Sequence, residues 1–91
     1  MKYNILITDI LIKDFVNIYK KDFNVDCLWK LKNINYNKYQ AIVVTGGFST
    51  NKQFLKNFKN LKIVSVFGVG YDGVDLIFCK KNNIVVTNTP K

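Results

Sequence analysis

The sequence contains no histidine and no arginine. Without histidine the chain cannot supply the commonest general acid–base side chain, and any hydrolytic triad built on imidazole is excluded. The ligand that usually completes a zinc set is missing as well, and the two cysteines, Cys27 and Cys79, stand far apart with no C-x-x-C spacing. Two isolated cysteines suit small buried hydrophobes in a reducing compartment, so a cytoplasmic protein without a metal site is expected. Without arginine, all fourteen basic residues are lysine, and they outnumber six acids for a net charge of +8. Nucleic-acid readers favour the bidentate guanidinium fork over lysine. Here Lys13, Lys20, Lys21, Lys30, Lys32 and Lys38 are scattered and mark no single helix face. That distribution describes a solvated surface and excludes an obvious nucleic-acid stripe. Long apolar runs are absent too. Charges interrupt each one before about 18 residues, so no membrane-spanning helix is available. The apolar start is cut short by Asp9, Lys13 and Asp14, with no small-residue cleavage site after it. It reads as a first strand, not a secretory leader.

What is present suits one small globular domain. The chain has 91 residues, 48% of them hydrophobic, near the lower size limit for a useful core. Tyr3–Thr8 is apolar and β-branched and is expected to be a strand. Ile12, Phe15, Val16 and Tyr19 fall at i, i+3, i+4 and i+7, one face of a helix. Phe23–Trp29 places Val25, Cys27 and Trp29 on one side of a second strand. Lys30–Lys38 is polar and reads as a loop or short irregular helix. Tyr39–Thr45 holds the continuous run Ala41-Ile42-Val43-Val44, which suits a strand buried on both faces.

Gly46-Gly47 breaks the chain. Thr50 followed by Gln53 has the capping-box spacing and opens a helix with Phe54, Leu55 and Phe58 inward. Leu61–Phe67 is a fourth strand, and Gly68-Val69-Gly70 is a turn. Asp72 or Gly73 is expected to cap a third helix, with Val74, Ile77 and Phe78 on its buried face and Lys80 and Lys81 in its last turn. Ile84–Thr87 is the fifth strand. No linker, repeat or low-complexity stretch intervenes. The alternation implies parallel strands with right-handed crossovers: an α/β, flavodoxin-like three-layer sandwich around a parallel five-stranded sheet. Its ligand crevice is expected at the carboxyl ends of the strands.

Gly68-Val69-Gly70-Tyr71-Asp72-Gly73 matches the spacing G-x-G-x-x-G. A dinucleotide site also needs an acid at the end of the next strand for the ribose hydroxyls, and Val86-Thr87-Asn88-Thr89-Pro90 has none. The turn also follows the fourth strand and not the first of a nucleotide-binding unit. A smaller anion accounts for the same residues. Gly68 and Gly70 let the backbone turn sharply and present bare N–H groups near a helix N-terminus, where a carboxylate or phosphate is favoured. Gly70 is expected to be the least replaceable, through ligand approach or an unusual φ. A tight strand-to-helix turn with no ligand uses the same residues. Gly46, Gly47 and Ser49 stand at another carboxyl end, as crevice lining or as a plain turn. Trp29 and Tyr71 read as packing residues, with the Tyr71 hydroxyl free to face the cleft.

Leu61–Leu76 together with Ile84–Pro90 resembles the D-isomer-specific 2-hydroxyacid dehydrogenases. Gly68-Val69-Gly70-Tyr71-Asp72 and Thr87-Asn88-Thr89-Pro90 look closest to the glyoxylate/hydroxypyruvate reductase branch, and Ala41–Gly47 is similar to the family's third strand and glycine turn. The resemblance implies that residues 1–91 are the N-terminal part of a substrate-binding domain, with the NAD-binding Rossmann domain absent from them. It implies that the backbone amides of Val69 and Gly70 hold the substrate carboxylate, with Gly68 and Gly47 as weaker candidates. The Asn88-Thr89-Pro90 segment then leads toward the nucleotide domain. The family reduces small 2-oxo acids with NAD or NADP, using a His, a Glu and an Arg that lie downstream, so no catalytic residue, metal ligand or cofactor contact is expected in this chain. A homodimer and a small 2-oxo or 2-hydroxy acid are the implied partners, with no nucleic acid and no membrane. Asn82-Asn83 stands where the family often has glycine, and asparagine tolerates the left-handed conformation such a turn needs. Lys91 departs from the usual small or acidic residue, and Gly73 occupies a variable position, which makes its part in the glycine spacing coincidental. The competing expectation is a stand-alone flavodoxin-like small-anion-binding or regulatory module. A phosphoacceptor receiver fits poorly, with Thr45-Gly46 where its aspartate belongs. So does a flavodoxin, with Asp9-Ile10-Leu11 where its hydroxyl-rich loop belongs.

Overall fold

Five segments, most of them rich in β-branched residues, become strands: Asn4–Ile7 (β1), Asn24–Cys27 (β2), Ala41–Thr45 (β3), Ile63–Phe67 (β4) and Val85–Thr89 (β5). The computed structural model describes residues 2–68 and 70–89. The strands pair in the order β2-β1-β3-β4-β5, every neighbour parallel. Ile5 lies opposite both Val25 and Ala41, Val43 opposite Ser65, and Val64 opposite Val86. This is the flavodoxin-like order, and sheets of this kind generally bind ligands at the carboxyl edge. Three short α-helices complete it: Val16–Lys20 (α1), Lys52–Leu55 (α2) and Leu76–Lys81 (α3).

Strand alternation divides the core into two layers. Leu6, Ile42, Val44, Val64 and Val66 point to one face and pack with Leu55, Phe58, Leu61, Val74, Cys79 and Ile84, beneath α2 and α3. Ile5, Ile7 and Val43 point to the other, where Ile12, Val16 and Cys27 cover them. Each fully buried aliphatic side chain contributes about 1.5–3 kcal/mol over its exposed state. The second layer covers only part of its face. Beyond α1 lies a groove of about 540 Å3 walled by Tyr19, Phe23, Ala41, Val43, Ile63 and Ser65. Its rim residues Tyr3, Gln40 and Lys62 precede their strands, so the groove opens toward the amino ends of the sheet, away from the expected crevice.

Several boundaries differ from the sequence reading. The segment from Ile12 to Tyr19 is no single α-helix. Asp9 accepts a hydrogen bond from the Leu11 amide and starts a 3-10 turn over Ile10–Phe15, and α1 begins only afterward. Phe15 is consequently left exposed at 41% while Ile12 is fully buried. β2 stops at Cys27, and Trp29 sits half-buried in a 3-10 turn, Leu28–Lys30, against the second layer. β4 starts at Ile63, not Leu61, because the amides of Lys62 and Ile63 both donate to the Gln40 carbonyl at its entrance. Asn51, not Thr50, caps α2: its side chain accepts from the Phe54 amide. Asp75, not Asp72 or Gly73, caps α3 by accepting from the Phe78 amide. Val74 is buried ahead of the helix, and Ile77 is 71% exposed, so neither forms the inward helical face expected of them. Asn83 does take the left-handed conformation, at φ 58°.

Tyr39, which leads into β3, ties the β2 edge to the larger layer. Its ring is buried against Phe58, and its hydroxyl donates to the Asp26 carboxylate at 2.6 Å, which also accepts from Lys38 Nζ at 2.9 Å. The Tyr39 hydrogen bond, then Lys38, holds the Asp26 carboxyl below its usual range against the opposing effect of burial. Burial first, then Asp26, pushes the Tyr39 phenol well above its usual range.

Candidate functional site

The carboxyl edge of the sheet gathers the ends of β1, β3, β4 and β5. At the end of β1, Asp9 uses both oxygens: Oδ1 accepts from the Leu11 amide at 3.0 Å and Oδ2 from the Thr45 hydroxyl at 2.5 Å. Thr8 binds the Val43 carbonyl through its amide and its hydroxyl, each at 3.0 Å. These bonds fix where β1 and β3 end. After β3 the chain turns, with the Phe48 amide donating to the Thr45 carbonyl at 3.1 Å. Thr50 is then fully buried and forms a single parallel bridge with Val74. Its amide donates to the Gly73 carbonyl at 2.6 Å, and its carbonyl accepts from the Asp75 amide at 3.0 Å. This bridge locks the β3–α2 turn against the β4–α3 turn.

The two turns also touch at their glycines. A Cβ on Gly46 would stand 3.7 Å from the Gly70 carbonyl oxygen. Gly68, closing β4, has φ +130°, a conformation side chains rarely adopt, so glycine is required there by the backbone itself. Gly70 and Gly47 have nothing within 4 Å of an added Cβ. Space beside Gly70 is therefore open, as a ligand-approach position requires, while no packing demand enforces glycine. Val69 lies outside the described residues. Of the four glycine-turn candidates, Gly68 and Gly70 stand together at the end of β4, and Gly47 is exposed in the neighbouring turn.

Gly73 carries a packing role that its spacing does not signal. A Cβ there would fall 2.3 Å from the Phe48 carbonyl oxygen and 2.9 Å from that of Gly46. Its hydrogen atom is demanded by the close approach of the two turns, so packing requires the glycine and its place in the G-x-G-x-x-G spacing remains coincidental. The relation of the turn to α3 also differs. Four residues, Tyr71–Val74, separate Gly70 from the Asp75 cap, and the Asp75 carboxylate already occupies the helix terminus. Anion binding at Gly68–Gly70 would rest on the turn's own amides, without the help of a helix end.

Two features of the site have no local sequence signal. The Asp9–Thr45 bond joins residues 36 apart, and the Tyr71 hydroxyl donates to Asn88 Oδ1 at 2.5 Å across 17 residues. The Tyr71 ring packs half-buried against the larger core layer. Cys27 and Cys79 are buried free thiols. Burial, then the charge of Asp75, pushes the Cys79 thiol up, away from the reactive thiolate. Among the described residues no cluster of three metal-ligating side chains occurs, and no helix is long and apolar enough to cross a membrane.

The residues present do not fit a dinucleotide. The helix after the glycine turn presents a carboxylate at its terminus where a pyrophosphate would need bare amides, and the third glycine packs under backbone carbonyls.

A family model described as D-isomer specific 2-hydroxyacid dehydrogenase, catalytic domain, matches residues 5–91. The chain is 36% identical to glyoxylate/hydroxypyruvate reductase A of Arabidopsis thaliana over 81% of its own length and 26% of the relative's. It is 29% identical to the glyoxylate reductase of Thermococcus litoralis, over 99% of the chain and 29% of the relative. Among solved structures, a 2-hydroxyacid dehydrogenase from Ketogulonicigenium vulgare superposes with a TM-score of 0.86 at 28% identity, covering all of this chain and 31% of that one. An NADPH-dependent glyoxylate/hydroxypyruvate reductase from Sinorhizobium meliloti, in complex with NADP and malonate, gives 0.84 at 27% identity, covering all of this chain and 29% of that one. The chain thus spans between a quarter and a third of the length of these relatives.

Proposed function

The chain belongs to the D-isomer-specific 2-hydroxyacid dehydrogenases, and from that premise we propose that it supplies the substrate-carboxylate turn of an NAD(P)-dependent oxidoreductase acting on small 2-hydroxy or 2-oxo acids such as glyoxylate or hydroxypyruvate. The amides of Val69 and Gly70 hold the carboxylate, with Gly68 and Gly47 shaping the approach. The observation that carries this reading is the β4–α3 turn itself. It lies at the carboxyl edge of the sheet, has open space beside Gly70, and is braced by a second glycine turn through the Thr50–Val74 bridge. The relatives named as glyoxylate or hydroxypyruvate reductases, and malonate in one of their structures, support a small carboxylate as the occupant.

In this division of labour the chain orients and does not react. Two backbone donors aimed at a carboxylate fix the acid so that its 2-carbon faces one direction, which contributes through positioning. Hydride delivery belongs to the nicotinamide, and proton transfer and carbonyl polarisation need groups other than these residues, which contain no histidine, arginine or glutamate. The same absence favours a second reading, a small-anion-binding module without catalysis. A rate assay examines the division of labour. The purified 91-residue chain with NADH and glyoxylate or hydroxypyruvate is expected to show no NADH oxidation, while glyoxylate still perturbs the Gly70 amide. Turnover by the chain alone would overturn it.

A further inference from the structure

The proposed substrate-carboxylate turn is joined to the end of β5 by a side-chain bond. Tyr71 follows Gly70 directly, and its hydroxyl donates to Asn88 Oδ1 at 2.5 Å. Asn88 stands on β5 opposite Val66 of β4, one residue from the strand's last position. The Tyr71 ring is held against the larger core layer. A ring fixed at one end and hydrogen-bonded at the other is a strut of defined length. A further bond leaves the Tyr71 carbonyl, which accepts from the Val74 amide at 2.9 Å. Tyr71 is therefore held through its ring, its hydroxyl and its backbone, and the residue before it is Gly70. Gly70 has no side chain to anchor it, and an added Cβ would meet nothing within 4 Å, so beyond the approach of its carbonyl to Gly46 its orientation leans on the anchored Tyr71 beside it.

We propose that Tyr71 and Asn88 are positioning residues for the carboxylate-binding amides, their hydrogen bond holding the Gly70 end of the turn in the orientation that accepts a small 2-oxo acid. The inference rests on the carboxylate reading of the turn given above. A second consequence is coupling. Asn88 lies where the chain leaves the sheet, so a displacement of that exit strains the strut and alters the turn, and a bound carboxylate reciprocally steadies the exit. The lost constraint is one hydrogen bond, so its removal is expected to weaken binding by about 3- to 10-fold.

The test is a double-mutant cycle on the full 91-residue chain, with glyoxylate as the probe and amide chemical shifts as the readout. Tyr71→Phe keeps the ring and its packing and removes only the hydroxyl; Asn88→Ala removes the acceptor. Each is expected to weaken glyoxylate binding by about 3- to 10-fold, and the double variant to bind no worse than the weaker single, because one bond is lost only once. The Gly70 amide resonance of ligand-free Asn88→Ala, a substitution 17 residues from Tyr71 in sequence, should also move, which loss of stability alone would not produce in the folded chain. Unchanged affinity in Tyr71→Phe, with the parent binding normally, overturns the strut and leaves the carboxylate reading intact. Independent, multiplying losses overturn it as well. A parent chain whose Val69 and Gly70 amides ignore glyoxylate overturns the carboxylate reading, and the strut with it.

Discussion

Replacing Gly73 with alanine places a methyl group where the structure has none to spare. The new Cβ would lie 2.3 Å from the Phe48 carbonyl oxygen and 2.9 Å from the Gly46 carbonyl oxygen, with the Phe48 carbonyl carbon at 3.3 Å. The first contact is roughly 1 Å short of ordinary van der Waals separation. All three atoms are backbone, so no side-chain rotation relieves the clash. The turn that carries them is pinned by the Phe48–Thr45 hydrogen bond, and the Thr50 amide is bonded to Gly73 itself at 2.6 Å. Relief requires the two turns to part, which costs about 1–3 kcal/mol as overpacking. It also endangers the bridging hydrogen bond, about 0.5–1.5 kcal/mol. Alanine recovers about 0.4–1 kcal/mol by restricting the unfolded chain. The net expectation is a loss of about 0.5–4 kcal/mol, centred near 2, against a total of roughly 5–14 kcal/mol for a chain of this length. Urea unfolding followed through Trp29, the single tryptophan, should show the midpoint falling by about 2 M with the slope unchanged. Gly70→Ala is the control, since nothing lies within 4 Å of its Cβ. A Gly73→Ala midpoint within about 0.3 M of the parent would refute the reasoning.

Other outcomes follow from the caps and the buried tyrosine. Asn51→Ala and Asp75→Ala each remove a side-chain acceptor from a helix terminus and are expected to cost about 1 kcal/mol in thermal or urea unfolding; Asp72→Ala, which caps nothing, should be neutral. Asp26 is held below its ordinary pKa in the folded state, first by the Tyr39 hydrogen bond. Its contribution is therefore present above the usual aspartate range and is lost as pH falls through the depressed folded value. Asp26→Asn should flatten the acid limb of the stability curve, and an unchanged limb would contradict that assignment. The Tyr39 phenol, raised first by burial, contributes in the opposite sense: its share is intact below the ordinary tyrosine range and declines as pH rises through the elevated folded value.

The sheet was legible because its signals are local. Ala41–Val44 is a short, continuous, β-branched apolar run that suits a strand buried on both faces, and the alternation of segments leaves a parallel order as the natural closure. The caps were misplaced for a tertiary reason. Thr50 has the right spacing to Gln53, but its amide and carbonyl are committed to Gly73 and Asp75 in the extra bridge, so the backbone stays extended and the cap passes to Asn51. The same bridge holds Val74 extended and moves the start of α3 to Asp75 as cap. At the site, the turn at Gly68 was readable, since its glycine answers a local backbone need at φ +130°. The packing demand at Gly73 was not readable because it comes from carbonyls more than twenty residues earlier in the chain. The Tyr71–Asn88 and Asp9–Thr45 bonds join segments that no periodicity connects.

The central claim concerns two backbone amides, and it is most directly tested by titrating the uniformly 15N-labelled chain with glyoxylate. The largest shifts are expected at Val69 and Gly70, with smaller ones at Gly68 and Gly47, and with saturation near millimolar concentration, as two charge-assisted hydrogen bonds imply, about 1.5–3 kcal/mol each. Shifts confined to residues elsewhere, such as those lining the groove beside Ile63, or no saturable shift at all, would contradict it.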